Sequence, residues 1–153
     1  MASLYTWYYR TQSNTPHVNG DWRGRMDYSF TQNASNNTTT ITTKMYIEFA
    51  NQPSGAQNRV WVYRNYIDNV WYGSTMPGYD QGWPTPTTSY APPVGNSSKL
   101  LYTASRTVTH NPDGKKSVYL EGCVGYLWHA TYVQEYILEW TDKVLVTLPT
   151  IPR

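Results

Sequence analysis

Two short stretches of this chain set a flat aromatic ring beside planar hydrogen-bonding groups: Asp68-Asn69-Val70-Trp71-Tyr72 and Tyr79-Asp80-Gln81-Gly82-Trp83. A sugar presents C–H groups on its ring face and hydroxyls around its edge. A site for it therefore pairs an exposed aromatic plate with a few well-placed polar side chains. Tyr90 follows in the same part of the chain. The candidate ligand-binding residues are thus Asp68, Asn69, Trp71, Tyr72, Tyr79, Asp80, Gln81, Trp83 and Tyr90. The same rings could instead pin a loop onto the core or meet another protein, because protein interfaces also favour amphipathic aromatics.

Catalytic chemistry finds less support. A glycosidase needs two carboxylates about 5 to 9.5 Å apart, and ten acidic residues are available. Asp68 and Asp80 lie near the aromatic stretches; Glu135 and Glu139 share one strand face and read as a solvated outer surface. No serine elbow, phosphate-binding glycine loop or closely spaced metal-ligand pair occurs. His17, His110 and His129 are far apart in sequence: His110 flanks a turn, and His129 beside Trp128 reads as packing or a rim position. We expect no enzyme activity, no metal and no cofactor. The single Cys123 rules out an intramolecular disulfide and, set in a strand pattern, reads as a small buried hydrophobe.

Composition narrows the partners. The formal net charge is +2, and charged residues make up 14% of the chain, against roughly 25% in an average globular protein. No basic run exceeds Lys115-Lys116, so a nucleic-acid or anionic-membrane surface is not expected. No apolar run approaches the ~18 residues of a membrane span, and Met1-Ala2-Ser3-Leu4 lacks the features of a signal peptide. Fifteen Tyr and 7 Trp stand against 2 Phe. That choice favours half-buried sheets and binding surfaces over a dry core, since Tyr and Trp carry a polar tip.

The elements that must position these residues read as strands. Residues 4–10, 22–31, 59–66 and 70–72 are rich in aromatic and β-branched residues. In Thr38 to Ala50, Ile41, Met45, Ile47 and Phe49 fall on one face and Thr42, Lys44, Tyr46 and Glu48 on the other. Ser98 to Gly125 reads as a hairpin around Asn111-Pro112-Asp113-Gly114, with Pro fixing φ, Asp accepting a local backbone bond and Gly in the left-handed region. Tyr132 to Trp140 and Asp142 to Leu148 follow, with Thr141-Asp142 as the turn between them. Gly73 to Ser98, with four Gly and five Pro, reads as a long irregular loop, and such loops are usually functional or disordered. The chain is thus expected to be a single all-β domain over residues 1–153: an antiparallel β-sandwich of about eight strands, jelly-roll or immunoglobulin-like.

Three stretches carry a resemblance. Val108-Thr109-His110-Asn111-Pro112-Asp113-Gly114-Lys115-Lys116-Ser117-Val118 and Leu148-Pro149-Thr150-Ile151-Pro152-Arg153, with the Asn-rich turn and Thr strand over 33–43, resemble the β-rich N-terminal domain of a family of minor structural proteins. These belong to tailed phages of Gram-positive bacteria. The match is good over 107–120 and the last six residues, and absent from 73–98. Members of that family continue past Ile-Pro-Arg into further domains, so the chain is either a small complete protein or an N-terminal module. The resemblance implies a virion protein made in the host cytoplasm and placed on the tail, baseplate or head surface. Other virion proteins are its expected partners, a homo-oligomer its expected state, and the family offers no catalytic residues to transfer. Joined to the aromatic stretches, it leads to a host-attachment module that binds cell-wall carbohydrate, or alternatively to a structural adaptor or decoration subunit.

Overall fold

A computed structural model of the chain describes residues 2–6, 9–10, 21–52, 59–73, 93–130 and 133–153. Every regular element in them is a β-strand: β1 (Ala2–Tyr5), β2 (Tyr9–Arg10), β3 (Asp21–Asn33), β4 (Thr38–Gln52), β5 (Arg59–Ile67), β6 (Val70–Gly73), β7 (Gly95–Thr109), β8 (Ser117–Ala130), β9 (Val133–Trp140) and β10 (Val144–Thr147). They form two antiparallel sheets packed face to face. The first runs β1-β3-β4-β7, with β2 also on β3; the second runs β10-β8-β5-β6, with β9 also on β8.

Alternation explains the core. Ile41, Met45, Ile47 and Phe49 are buried along one face of β4, and Trp22 and Met26 join them from β3. Ile67, Val118, Leu120 and Val124 meet them from the second sheet. Burying each such side chain contributes about 1.5–3 kcal/mol, so the period-two pattern alone goes far toward fixing which face turns inward. At Gly122 the sheets come so close that an added Cβ would collide with the Met45 side chain.

One polar contact crosses this core. Asn65 on β5 and Thr43 on β4 are both fully buried, and the Asn65 amide donates to Thr43 Oγ1 at 2.8 Å.

A shared device appears on both sheets. Thr6 donates its N–H to the Gly24 carbonyl at 3.0 Å, while its hydroxyl accepts from Gly24 N at 2.8 Å. Thr141 does the same with Gly122, at 2.9 and 2.8 Å. In each case a threonine hydroxyl stands in for a ladder carbonyl, so the chain leaves regular register without orphaning a buried donor.

Four sequence expectations are corrected. The segment over 4–10 forms two strands, β1 and β2, with Thr6 after the first. The stretch Gly95–Ser98 is not loop: it pairs with the end of β4, from Gly95 opposite Gln52 to Ser98 opposite Glu48. Residues 141–143 do not reverse the chain. Trp140 lies opposite Cys123 and Val144 opposite Leu120, so β9 and β10 follow one edge of β8 with a one-residue bulge between them.

The largest correction concerns the hairpin. The turn has the expected chemistry: Gly114 has φ +82°, Gly114 N–H donates to the Asn111 carbonyl at 2.8 Å, and Asp113 Oδ1 accepts from Lys115 N at 3.0 Å. Its two strands nevertheless do not pair. β7 lies beside β4 in the first sheet and β8 between β5 and β10 in the second, so the turn arches from one sheet to the other. His110, buried at this point, holds the arch: Nδ1 bonds the Gly114 carbonyl at 2.7 Å and Nε2 bonds Thr39 Oγ1 at 2.6 Å.

The C-terminal residues close the same end. Ile151 is buried and its N–H donates to the Gly114 carbonyl at 2.9 Å; Arg153 Nη1 donates to the Ala34 carbonyl at 3.0 Å. Asn37 Nδ2 donates to the carbonyls of His110 and Asn111 at 3.1 and 3.0 Å. The three stretches that carry the resemblance, separate in sequence, thus form one hydrogen-bonded cap.

Candidate functional site

Of the expected ligand-binding residues, Asp68, Asn69, Trp71 and Tyr72 are among those described, and they do not share one face. Asp68 and Asn69 form the two-residue turn between β5 and β6, both in the left-handed region at φ 45° and 72°. That geometry matches the twist of a tight hairpin and favours Asn and Asp. Asp68 N–H donates to the Tyr119 carbonyl at 3.0 Å, and Asn69 Oδ1 accepts from Tyr66 Oη at 3.0 Å. Both therefore have structural roles. Tyr72, opposite Asn65, faces inward and packs against the core, so it does not join an outward surface. Tyr79, Asp80, Gln81, Trp83 and Tyr90 lie outside the described residues.

Trp71 faces outward and finds company that the sequence reading missed. It lies opposite Tyr66 on β5, with ring centroids 4.8 Å apart. It also meets Trp140 of β9 edge to face, at 5.6 Å and 82°. The Arg64 guanidinium sits 5.0 Å from the Trp71 ring centre. Beside them, Lys143 Nζ lies 4.9 Å from the Tyr66 ring and 5.0 Å from the Tyr119 ring. These residues cover the outer face of the second sheet with rings and cations.

Exposure shows where this face is open. Trp140 is 39% exposed, Tyr119 45% and Leu145, opposite Tyr119, 57%. Glu121, opposite Tyr66, supplies an acceptor; burial raises its pKa, against the lowering effect of Lys143. Rings with one free side, bordered by Arg64, Glu121, Asn69 and Lys143, can stack on an apolar ring face and bond hydroxyls at its rim. The alternating pattern of β9 carried the signal for Trp140, but its neighbours come from β6 and β8. Local spacing could not join them.

Cys123 lies in the same outer face, between Arg64 and Trp140 in register, and yet is fully buried. Burial pushes its thiol up to about 12, against the opposing pull of Arg64. At neutral pH it is a protonated, inert thiol. Of the carboxylates Glu135 and Glu139, the side chain of the first lies outside the described residues. Glu139 lies opposite Val124, on the register that looks toward the other sheet, and burial raises its pKa. The expectation of a solvated outer position is corrected there.

Among the described residues no group of three or more His, Cys, Asp or Glu is placed to hold a metal ion. No helix there is long and apolar enough to cross a membrane. Neither a protein-family model, nor a curated protein, nor a solved structure matches the chain.

Proposed function

We propose that this chain is a non-catalytic surface module of a tailed-phage virion, in the tail or baseplate, that attaches to host cell-wall carbohydrate. The outer face of the second sheet is its binding surface. The observation that carries the binding reading is the cluster of Tyr66, Trp71, Tyr119 and Trp140, open at Trp140 and Tyr119 and rimmed by Arg64, Glu121 and Lys143. The virion assignment rests on the resemblance carried by 33–43, 107–120 and 148–153.

The test is retention on purified Gram-positive cell walls by the wild type and by Trp140→Ala and Tyr119→Ala. Removing a central aromatic anchor should weaken retention about thirtyfold or more, the effect of losing a residue worth roughly 2 kcal/mol. A second reading, a structural adaptor or decoration subunit, is favoured by the exposed apolar pair Tyr119 and Leu145. If wild type and variants alike fail to bind walls while the protein assembles on virions, the adaptor reading replaces the adhesive one. Light scattering would then report the expected homo-oligomer.

A further inference from the structure

The outer face of the first sheet carries a groove of about 320 Å³, lined chiefly by Arg25, Glu48, Asn96, Ser97 and Ser98. Its walls are fixed by charge pairs. Arg25 Nη1 donates to Glu48 Oε1 at 2.7 Å, and Arg25 Nε lies 3.1 Å from Asp27 Oδ1, near enough for an ion pair but not aligned for a hydrogen bond. Beneath, the Arg25 guanidinium lies 4.3 Å from the Tyr46 ring centre. Arg23 Nη2 holds the other Glu48 oxygen at 3.2 Å. Burial alone would lower the Arg25 pKa, but the Glu48 bond and the charges of Asp27 and Glu48 outweigh it and raise it.

The groove exists because the β4–β7 ladder is irregular. Register shifts occur between Met45 and Tyr46 and again between Phe49 and Gln52. At the second, Asn51 takes φ 56° and its N–H donates to Asn96 Oδ1 at 3.1 Å. Bulges and non-glycine residues in the left-handed region concentrate at functional sites, where they re-aim side chains.

Charge selects the ligand class. Within the groove two arginines pair with two carboxylates, so their charges are largely spent on one another; Lys44, opposite Asp27, adds a positive charge beside it. Glu48 Oε1 accepts one charge-assisted bond, from Arg25, and retains capacity for another, whereas Oε2 already accepts two, from Arg23 Nε and Nη2; Asn96 and Ser98 add amide and hydroxyl groups. Next along the same face comes the row Asp27–Lys44–Thr103, and beyond it the uncharged rows Ser29–Thr42–Ser105 and Thr31–Thr40–Thr107. A ligand longer than the groove crosses one charged row and then meets hydroxyls. We infer that this groove binds a neutral, hydroxyl-rich ligand, a saccharide chain, at a site separate from the aromatic face of the second sheet.

The experiment is binding of the purified chain to an array of neutral and anionic bacterial glycans, by wild type, Glu48→Gln, Ser98→Arg and Trp140→Ala, each checked for an unchanged Tm. Ser98 is exposed on an edge strand, so its replacement blocks the groove without touching the core. The wild type should bind at least one neutral glycan. Glu48→Gln and Ser98→Arg should each lose tenfold or more, and Trp140→Ala should keep that binding. Affinity should change little between 50 and 500 mM salt, because neutral ligands are not screened. Binding only to anionic glycans, binding to none, or equal binding by Glu48→Gln and Ser98→Arg overturns the inference. Loss confined to Trp140→Ala would leave the aromatic face as the site and remove the groove.

Discussion

The indoles of Trp71 and Trp140 meet edge to face at 5.6 Å although their strands are not neighbours. β5 and β8 lie between β6 and β9, so the backbones stand roughly 14 Å apart at ~4.8 Å per strand spacing. The two side chains reach toward each other over the strip between them, where Cys123 is buried despite facing outward. This contact makes the outer face a roofed surface.

The roof predicts thiol chemistry. Cys123 in the native protein should resist a thiol reagent at pH 8, since little thiolate exists when the pKa is pushed up to about 12. Trp140→Ala should raise the labelling rate at least tenfold, and Trp71→Ala should raise it to a smaller extent. Rates unchanged from wild type in both variants would show that other side chains cover the sulfur.

The polar contact across the core makes a second prediction. Thr43→Val removes the acceptor at 2.8 Å from the buried Asn65 amide, and an unsatisfied buried donor costs about 1–3 kcal/mol. Pairing it with Asn65→Leu replaces both partners by apolar groups and should recover much of the loss. Denaturant unfolding of the two single variants and the double variant measures the coupling.

The arch makes a third. Gly114→Ala forces φ +82° on a residue with a Cβ, and that Cβ would collide with the Ile151 carbonyl oxygen. Strain at such a position costs about 1–3 kcal/mol, lowering Tm by roughly 3–10 °C in a domain of this size. Asp113→Ala, which loses one exposed bond to Lys115 N, should cost no more than about 0.5 kcal/mol. Thermal unfolding monitored by circular dichroism separates the two.

A fourth concerns pH. Burial raises the carboxyl pKa of Glu139 and of Glu121, so folding disfavours their anions. The folded chain then binds more protons than the unfolded one between the ordinary carboxylate value and the raised one. The contribution of these groups to stability falls as pH rises through that window and is most favourable below it. Glu139→Gln should therefore raise Tm at pH 7 and lessen the gain that wild type shows on moving toward pH 5. A Tm gain of the same size at pH 7 and at pH 4 would assign the effect to something other than ionisation.

Much of this protein is written locally. The period-two pattern of Ile41, Met45, Ile47 and Phe49 determines a strand and its inward face, because the alternate positions Thr42, Lys44, Tyr46 and Glu48 carry polar groups that are costly to bury. Asn111-Pro112-Asp113-Gly114 determines a turn, because each residue restricts its own φ or bonds its own neighbours. Neither determines a partner. That Thr109 and Ser117 leave the turn for different sheets depends on β4 and β5 being there to receive them, and on His110 and Ile151 both claiming the Gly114 carbonyl. Trp71 was legible as an aromatic beside Asp and Asn, yet its setting with Tyr66 and Trp140 arises from strand order. The sequence determined the strands, the turn chemistry and the abundance of amphipathic rings. Tertiary structure decided which rings share a face, because lateral pairing is set by contacts between residues far apart in the chain.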